Sequence, residues 1–209
     1  MRKKTEARRD VILNAAAQEF CERGYEGASV SAIAARIGGS KQTLYNYFTS
    51  KDDLFAEVTA RAINSLMDAA YAEMMEEDDL ASALRRYGER YLAVRQSPEM
   101  VALVRLVFGE SGRSEIGRLL WGRCQMEGVA KVGGVLAAAM RAGKLRAADP
   151  TVAAFHLFGL LGAELVDAVI LRAREPATTG EISEVVDRAV EAFVAAYRSP
   201  VEDPSLHKE

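Results

Sequence analysis

A chain of 209 residues, 49% hydrophobic and 27% charged, can hold a small domain beside a larger one and is too apolar for disorder beyond its ends. Its net charge of −3 is unevenly spread: residues 1–51 carry nine Lys/Arg against five Asp/Glu, a net +4, and the remainder eighteen against twenty-five, a net −7, so only the front suits a polyanion. Cys21 and Cys124 form neither a CxxC nor a zinc spacing, and no apolar run follows the basic start Arg2-Lys3-Lys4; the expectation is reduced, buried thiols in a cytoplasmic protein without a signal peptide.

Apolar positions recur at helical spacing through most of the chain without a strand pattern, which predicts an all-α fold. A first helix is expected from Thr5 to Arg23, with Ile12, Ala16 and Phe20 as its core stripe and Gly24 as a left-handed C-terminal cap. Ser29 caps a short second helix, Val30 to Ile37, which Gly38-Gly39 break. Ser40 caps a third, Lys41 to Tyr47, that turns Leu44 and Phe48 inward. Ser50 opens a fourth, with Asp53 completing the Ser-x-x-Asp form of a capping box. This helix runs to about Met75 and is long enough to link a small front domain to the rest.

Further helices are expected over Leu80 to Arg95, Glu99 to Phe108, Ser114 to Ala142 (long or broken), Thr151 to Ala173 and Glu181 to Arg198, with Pro200 to Glu209 as a frayed tail. The stretch Val152 to Leu171 is long enough to span a membrane, but it carries His156, Glu164 and Asp167. Carboxylates are costly in lipid, so this segment is expected inside protein or at a subunit interface, with no membrane contact.

The third helix has the chemistry of a DNA reader. The B-DNA major groove admits one α-helix, whose first turns reach base edges. Lys41 and Gln42 stand at the exposed N-terminus; lysine donates to guanine O6 or N7, and glutamine pairs with adenine N6 and N7. Tyr45 can lie against a thymine methyl. Thr43, Tyr47 and the fourth-helix N-terminus with Lys51 can hold phosphates. Arg2, Lys3, Lys4, Arg8 and Arg9 add sequence-independent attraction.

The block from Ile12 to Val58 also resembles the DNA-binding domain of the TetR/AcrR repressors. The matching pieces are Ala16-Ala17 with Phe20, Arg23-Gly24-Tyr25, Ser29-Val30 with Ile33-Ala34, Gly39-Ser40-Lys41, Thr43-Leu44-Tyr45, Tyr47-Phe48, and Ser50-Lys51 with Leu54. The resemblance implies an N-terminal three-helix helix-turn-helix domain (1–50), joined by a long helix to a C-terminal helical ligand-binding and dimerisation domain (51–199), then a flexible tail (200–209). It puts Ser31, Lys41, Gln42 and Tyr45 at base-facing positions, and Ser29, Thr43, Asn46, Tyr47 and Lys51 at phosphate-facing ones. Two departures are Gly39, where the family often has Val or Ala, and the small Ser31, which shifts base readout onto the third helix. The stretch Val101 to Val107, with the segment after it, is similar to the C-terminal domain of AefR-like members.

In that family the C-terminal helices bind a small molecule and form the dimer. Tyr87, Tyr91, Arg105, Trp121, Gln125 and His156 are the candidates for contact with a small, mostly apolar effector, each with an ordinary core role as its alternative. Gly159, Gly162 and Ala163 would let helices approach closely. Leu160, Val166, Val169, Ile170, Val186, Val190, Phe193 and Tyr197 fit either a dimer seam through the last two long helices or the core of one subunit. An enzyme is not expected. The two histidines, His156 and His207, leave no G-x-S-x-G elbow with a triad, no phosphate loop and no paired Glu-x-x-His motifs, and neither metal nor cofactor is called for. The expected function is a homodimeric, ligand-responsive repressor on a pseudo-palindromic operator, released by its effector. The alternative is an architectural or activating DNA binder with no effector.

Overall fold

The computed structural model describes residues 2–110 and 112–199, with side chains from residue 6 onward. They form eleven α-helices and one π turn: α1 (Arg2–Gly27), α2 (Val30–Arg36), α3 (Lys41–Tyr45), α4 (Lys51–Glu76), α5 (Leu80–Arg95), α6 (Pro98–Glu110), α7 (Ile116–Leu120), the π turn (Trp121–Gln125), α8 (Met126–Arg141), α9 (Pro150–Gly162), α10 (Val166–Ile170) and α11 (Thr179–Tyr197). No strand occurs among the described residues beyond an isolated antiparallel bridge between Leu145 and Arg198. The fold is all-α, with a helix-turn-helix at the front and a helical C-terminal part. No described helix is long and apolar enough to cross a membrane.

By packing, the chain divides into two units: residues up to 66 together with 105–127, and 67–104 together with those from 128. In the first unit α1, α2, α3 and the start of α4 enclose Ile12, Ala16, Ile33, Leu44 and Leu54, each no more than 1% exposed. Each of the four larger side chains contributes roughly 1.5–3 kcal/mol by leaving water. Phe20 and Tyr25 both meet the Phe55 ring, at 5.0 Å between centroids. The buried carboxylate of Glu19 pairs with Arg36 of α2 at 3.0 Å and with Arg23 at 3.3 Å, so α1 and α2 are held by charge as well as by apolar contact. Gly24 has φ 68° and ψ 176°, a backbone conformation essentially confined to glycine. It interrupts α1 where the sequence predicts a cap, but the geometry is not left-handed helical, and one more helical turn follows.

In the second unit the core is drawn from α4 (Met67, Ala70, Met74), α5 (Leu84, Tyr87, Leu92), α8 (Val132, Leu136), α9 (Leu157, Leu161) and α11 (Val186, Val190, Phe193). Gly88 permits α5 to pack closely: a Cβ there would lie 2.8 Å from Leu161 Cδ2 and 2.9 Å from Val186 Cγ1. Val166, Val169, Val186, Val190, Phe193 and Tyr197 are buried within the single chain. These six therefore serve as core, while Leu160 and Ile170 pack on it partly buried.

Helix α3 ends at Tyr45, two residues before the expected end, and two segments expected as long helices are broken. The 114–142 segment is split into α7, the π turn and α8. The 151–173 segment ends at Gly162 and resumes as α10; between them Glu164 turns outward to Arg188 of α11 at 2.6 Å. Cys21 is exposed rather than buried, because it lies off the core stripe of α1. Cys124 is half-buried, and burial pushes its thiol up to about 11.

Candidate nucleic-acid interface

Helix α3 is only five residues long and depends on its caps and one anchor. The Ser40 Oγ accepts the Thr43 N–H at 3.2 Å, and the Thr43 hydroxyl accepts the Ser40 N–H at 3.3 Å. This reciprocal box satisfies two donors that would otherwise be orphaned. Leu44, 1% exposed, fixes the inner side. The outer side then presents Lys41, Gln42, Tyr45 and Asn46 to solvent, with Tyr45 48% exposed. Gln42 Nε2 donates to Asn46 Oδ1 at 3.4 Å, an i,i+4 contact that steadies the amide without burying it. Ser29 caps α2 by accepting the Ala32 N–H at 3.1 Å, and Ser31 is exposed on that helix.

The N-terminus of α4 is more heavily braced than the sequence suggests. Asp53 N–H donates to Ser50 Oγ at 3.0 Å, as a capping box requires. The return arm lands one residue early: the Asp53 carboxylate accepts from the N–H of Thr49 at 2.6 Å and from its hydroxyl at 3.1 Å. Arg123 of the π turn donates to the Asp53 carbonyl at 2.9 Å and to its carboxylate at 2.5 Å, and lies 3.4 Å from Glu57. Burial is the largest single influence on Asp53 and raises its pKa, but the hydrogen bonds from Arg123 and Thr49 outweigh it and hold the carboxyl below the usual range. Asp52 accepts from the Tyr25 hydroxyl and from the Glu115 N–H, the latter at 3.0 Å. Burial, then that bond to Asp52, pushes the Tyr25 phenol up.

Several cations expected to face phosphate are engaged within the domain. Lys51 Nζ sits 4.4 Å from the Tyr25 ring centroid and donates to the Glu26 carbonyl at 3.3 Å. Arg8 caps α2 by donating to the Ile37 carbonyl at 3.1 Å. Arg9 pairs with Glu57 at 2.7 Å and lies over Phe48. Arg8 and Arg9 thus tie α1 to its neighbours, because their helical phase points them at α2 and α4. The side chains of Arg2, Lys3 and Lys4, and the tail from Pro200, lie outside the described residues. Sequence reasoning misses Arg123: it lies seventy residues from Asp53, in a segment whose apolar spacing does not reveal a π turn.

The six effector candidates fall in three places. Tyr87 and Tyr91 stand together on α5, with ring centroids 6.2 Å apart, and Tyr87 donates to the Tyr71 hydroxyl at 3.1 Å. Arg105, Trp121 and Gln125 belong to the first unit. His156 is exposed on α9, its Nδ1 2.6 Å from the Tyr197 hydroxyl. Among the described residues no group of three His, Cys, Asp or Glu is placed to hold a metal.

Comparison with known proteins decides the family. Residues 12–58 match the model of bacterial regulatory proteins of the tetR family, and residues 82–199 match that of the AefR-like transcriptional repressor C-terminal domain. The chain belongs to the tetR family. The members of this family are DNA-binding transcriptional regulators. Among the curated relatives, the HTH-type transcriptional repressor SCO4008 of Streptomyces coelicolor is 33% identical over 105 residues, half of each chain. The activator FasR of Mycolicibacterium smegmatis is 34% identical over 84 residues, 40% of this chain and 38% of that protein. These matches span half or less of each relative. A solved tetR-family regulator of Mesorhizobium loti superposes with a TM-score of 0.74 at 30% identity, covering 92% of this chain and 98% of that one. The flavonoid-responsive regulator FrrA superposes at 0.70 with 29% identity, over 92% and 97%.

Proposed function

We propose that this tetR-family regulator is a homodimeric repressor whose hold on a pseudo-palindromic operator is released by a small, mostly apolar effector. The observation carrying the DNA half is the outer side of α3, where Lys41, Gln42 and Tyr45 stand exposed above a buried Leu44. In this reading residues 1–50 contact DNA and 51–199 hold the effector and the partner subunit. Lys41, Gln42, Tyr45 and Ser31 face bases. Ser29, Thr43, Asn46, Tyr47 and Lys51 face phosphates, which requires Lys51 to leave Tyr25 when DNA arrives. Two-fold symmetry sets the half-sites about one DNA turn, or a small multiple, apart.

The dimer surface assigned is the outer side of α9 and α11. Val152, His156, Gly159 and Ala163 recur there at helical spacing, and Ala192, Ala195 and Ala196 are exposed on α11. A Cβ on Gly159 would meet nothing within 4 Å, so the position is open to a neighbouring helix. An effector site gains support from the flavonoid-responsive FrrA. Effector binding favours a state with a different spacing of the two α3 helices, transmitted through α4, and the shift equals the effector's differential affinity for the two states. The activator among the relatives gives the sign of regulation a second reading.

The test selects bound fragments from the source genome, footprints the tightest, and measures transcription from the neighbouring promoter with and without the gene. Protection of paired half-sites and a rise in transcription on deletion support a dimeric repressor. A fall in transcription would make it an activator, and a single unpaired half-site would contradict the dimer.

A further inference from the structure

Among the described residues of the second unit, the buried side-chain nitrogens and oxygens are hydrogen-bonded with one exception. Gln96, 4% exposed, donates to the Leu92 carbonyl at 3.3 Å and accepts the Ala177 N–H at 2.8 Å. Beside it, at the end of α5, the Nε of Arg95 is shut off from solvent with no hydrogen-bond partner among the described residues. No ion pair among the described residues engages its guanidinium either. A cation in the last turn of a helix is favoured by the macrodipole, but that field supplies no acceptor, and a buried donor left unpaired is costly. Glu19 Oε1 of the first unit also lacks a hydrogen bond, but it has the Arg23 guanidinium 3.3 Å away. Arg95 has no such compensation.

The surroundings of Arg95 have direction. Tyr87, Tyr91 and Arg95 follow one another at four-residue spacing, one side of α5 with about 6 Å between successive positions. The Tyr87 and Tyr91 rings are stacked within 19°. Phe158 of α9 lies 5.1 Å from Tyr91, and Tyr71 of α4 lies 5.2 Å from Tyr87. Burial is the main influence on the Tyr91 phenol and pushes it up, with the Arg95 charge pulling the other way. Tyr91 nevertheless keeps accessible surface, so the space beside it is not fully packed. Gly128 lets its helix approach the same aromatic group closely, since a Cβ there would come within 3.1 Å of the Tyr71 hydroxyl and 3.8 Å of Phe158 Cζ.

We infer that this aromatic slot along α5 takes an apolar molecule bearing one carboxylate, with the aromatic side chains receiving its body and the Arg95 guanidinium its head. The inference rests on the effector reading above and names the chemical class of that effector. A carboxylate supplies the acceptor that Arg95 Nε lacks and accepts two parallel N–H donors. The aromatic walls exclude water, which strengthens the pair. A neutral or cationic molecule of the same shape would leave the guanidinium unsatisfied.

The test is calorimetric titration of the full chain with dodecanoate and naphthoate, each beside its neutral alcohol, dodecanol and naphthylmethanol. At least one acid is expected to bind about ten-fold tighter than its alcohol, since a charge-assisted pair contributes roughly a factor of ten or more. In Arg95→Met that preference vanishes while the alcohol binds as before; Arg95→Lys, which keeps the charge and loses the fork, falls between. Unliganded Arg95→Met should unfold at a temperature no lower than the parent, because an unpaired buried donor has been removed. Acid and alcohol binding alike, binding of no acid, or an Arg95→Met chain that keeps the preference would each overturn the inference. Operator release judges the effector reading separately. A neutral compound that frees operator would remove the arginine anchor and leave that reading standing. Acid binding through Arg95 with no change in operator affinity would do the reverse.

Discussion

The two units use polar side chains in opposite ways. In the first, the groups proposed to meet DNA stand on the outside of α3, exposed, above a buried anchor at Leu44. In the same unit both carboxylates at the start of α4 are engaged: Asp52 by Tyr25 and the Glu115 N–H, Asp53 by Thr49 and Arg123. In the second, the informative polar group is buried, and it is marked by the partner it lacks. Reading a polymer calls for donors held in fixed positions on a surface. Recognising a small molecule calls for a group whose needs the protein itself leaves unmet. The first arrangement is complete in the free chain, and the second would be completed by the proposed ligand.

Substitutions can break this contrast. The largest effect is expected from Leu44→Ala, which removes the buried anchor of a five-residue helix and should cost about 2–5 kcal/mol in urea unfolding. A loss under about 1 kcal/mol would mean that caps alone hold α3. Gly88→Ala probes the other unit. Its new methyl would press on Leu161 and Val186, and overpacking of this kind costs about 1–3 kcal/mol; an unchanged melting temperature would mean that α5 is free to shift. Gln42→Ala should leave folding intact and relax base preference at one operator position, by ~1–3 kcal/mol in competitive binding.

Acid stability tests the bracing of α4. The Asp53 carboxyl is held below its ordinary range in the folded chain, so its contribution is complete above the unfolded carboxylate pKa of about 4 and is lost as pH falls through the lower folded value. Arg123→Met removes part of that hold, and the acid-unfolding midpoint of the first unit should move to higher pH. A midpoint that does not move would assign Arg123 to packing alone. The smallest effect is expected from Lys51→Ala, which should weaken all DNA sequences alike and flatten the salt slope by about one unit. An unchanged slope would leave Lys51 with Tyr25 and Glu26 in the complex as well.

The helices of the front are legible in the sequence because their signals are local. Ser29, Ser40, Gly24 and Gly38 punctuate short segments, and the apolar spacing of Ile33, Leu44 and Phe48 picks out the inner sides. The same locality conceals what lies behind α3. Nothing in the spacing near Arg123 announces a π turn, and nothing near Asp53 announces an arginine seventy residues away. On α5 the stacked pair Tyr87 and Tyr91 is visible as aromatic residues one turn apart. Arg95 is not, because an arginine at a helix end reads as an ordinary solvated charge until its Nε is seen to be enclosed. The break after Gly162 is hidden for a related reason: the run from Val152 to Leu171 is apolar enough to read as one helix, and the pull of Arg188 on Glu164 comes from a different helix.

The most direct test of α3 as the reading element is fluorescence-anisotropy titration of a genomically selected operator, beside a scrambled duplex, with the parent chain and with the combined variant Lys41→Ala, Gln42→Ala, Tyr45→Ala. All three side chains are exposed, so the variant should fold as the parent does. It is expected to bind operator and scrambled duplex with equal, weak affinity. A variant that still prefers its operator as strongly as the parent would show that sequence is read elsewhere and would contradict the assignment of α3.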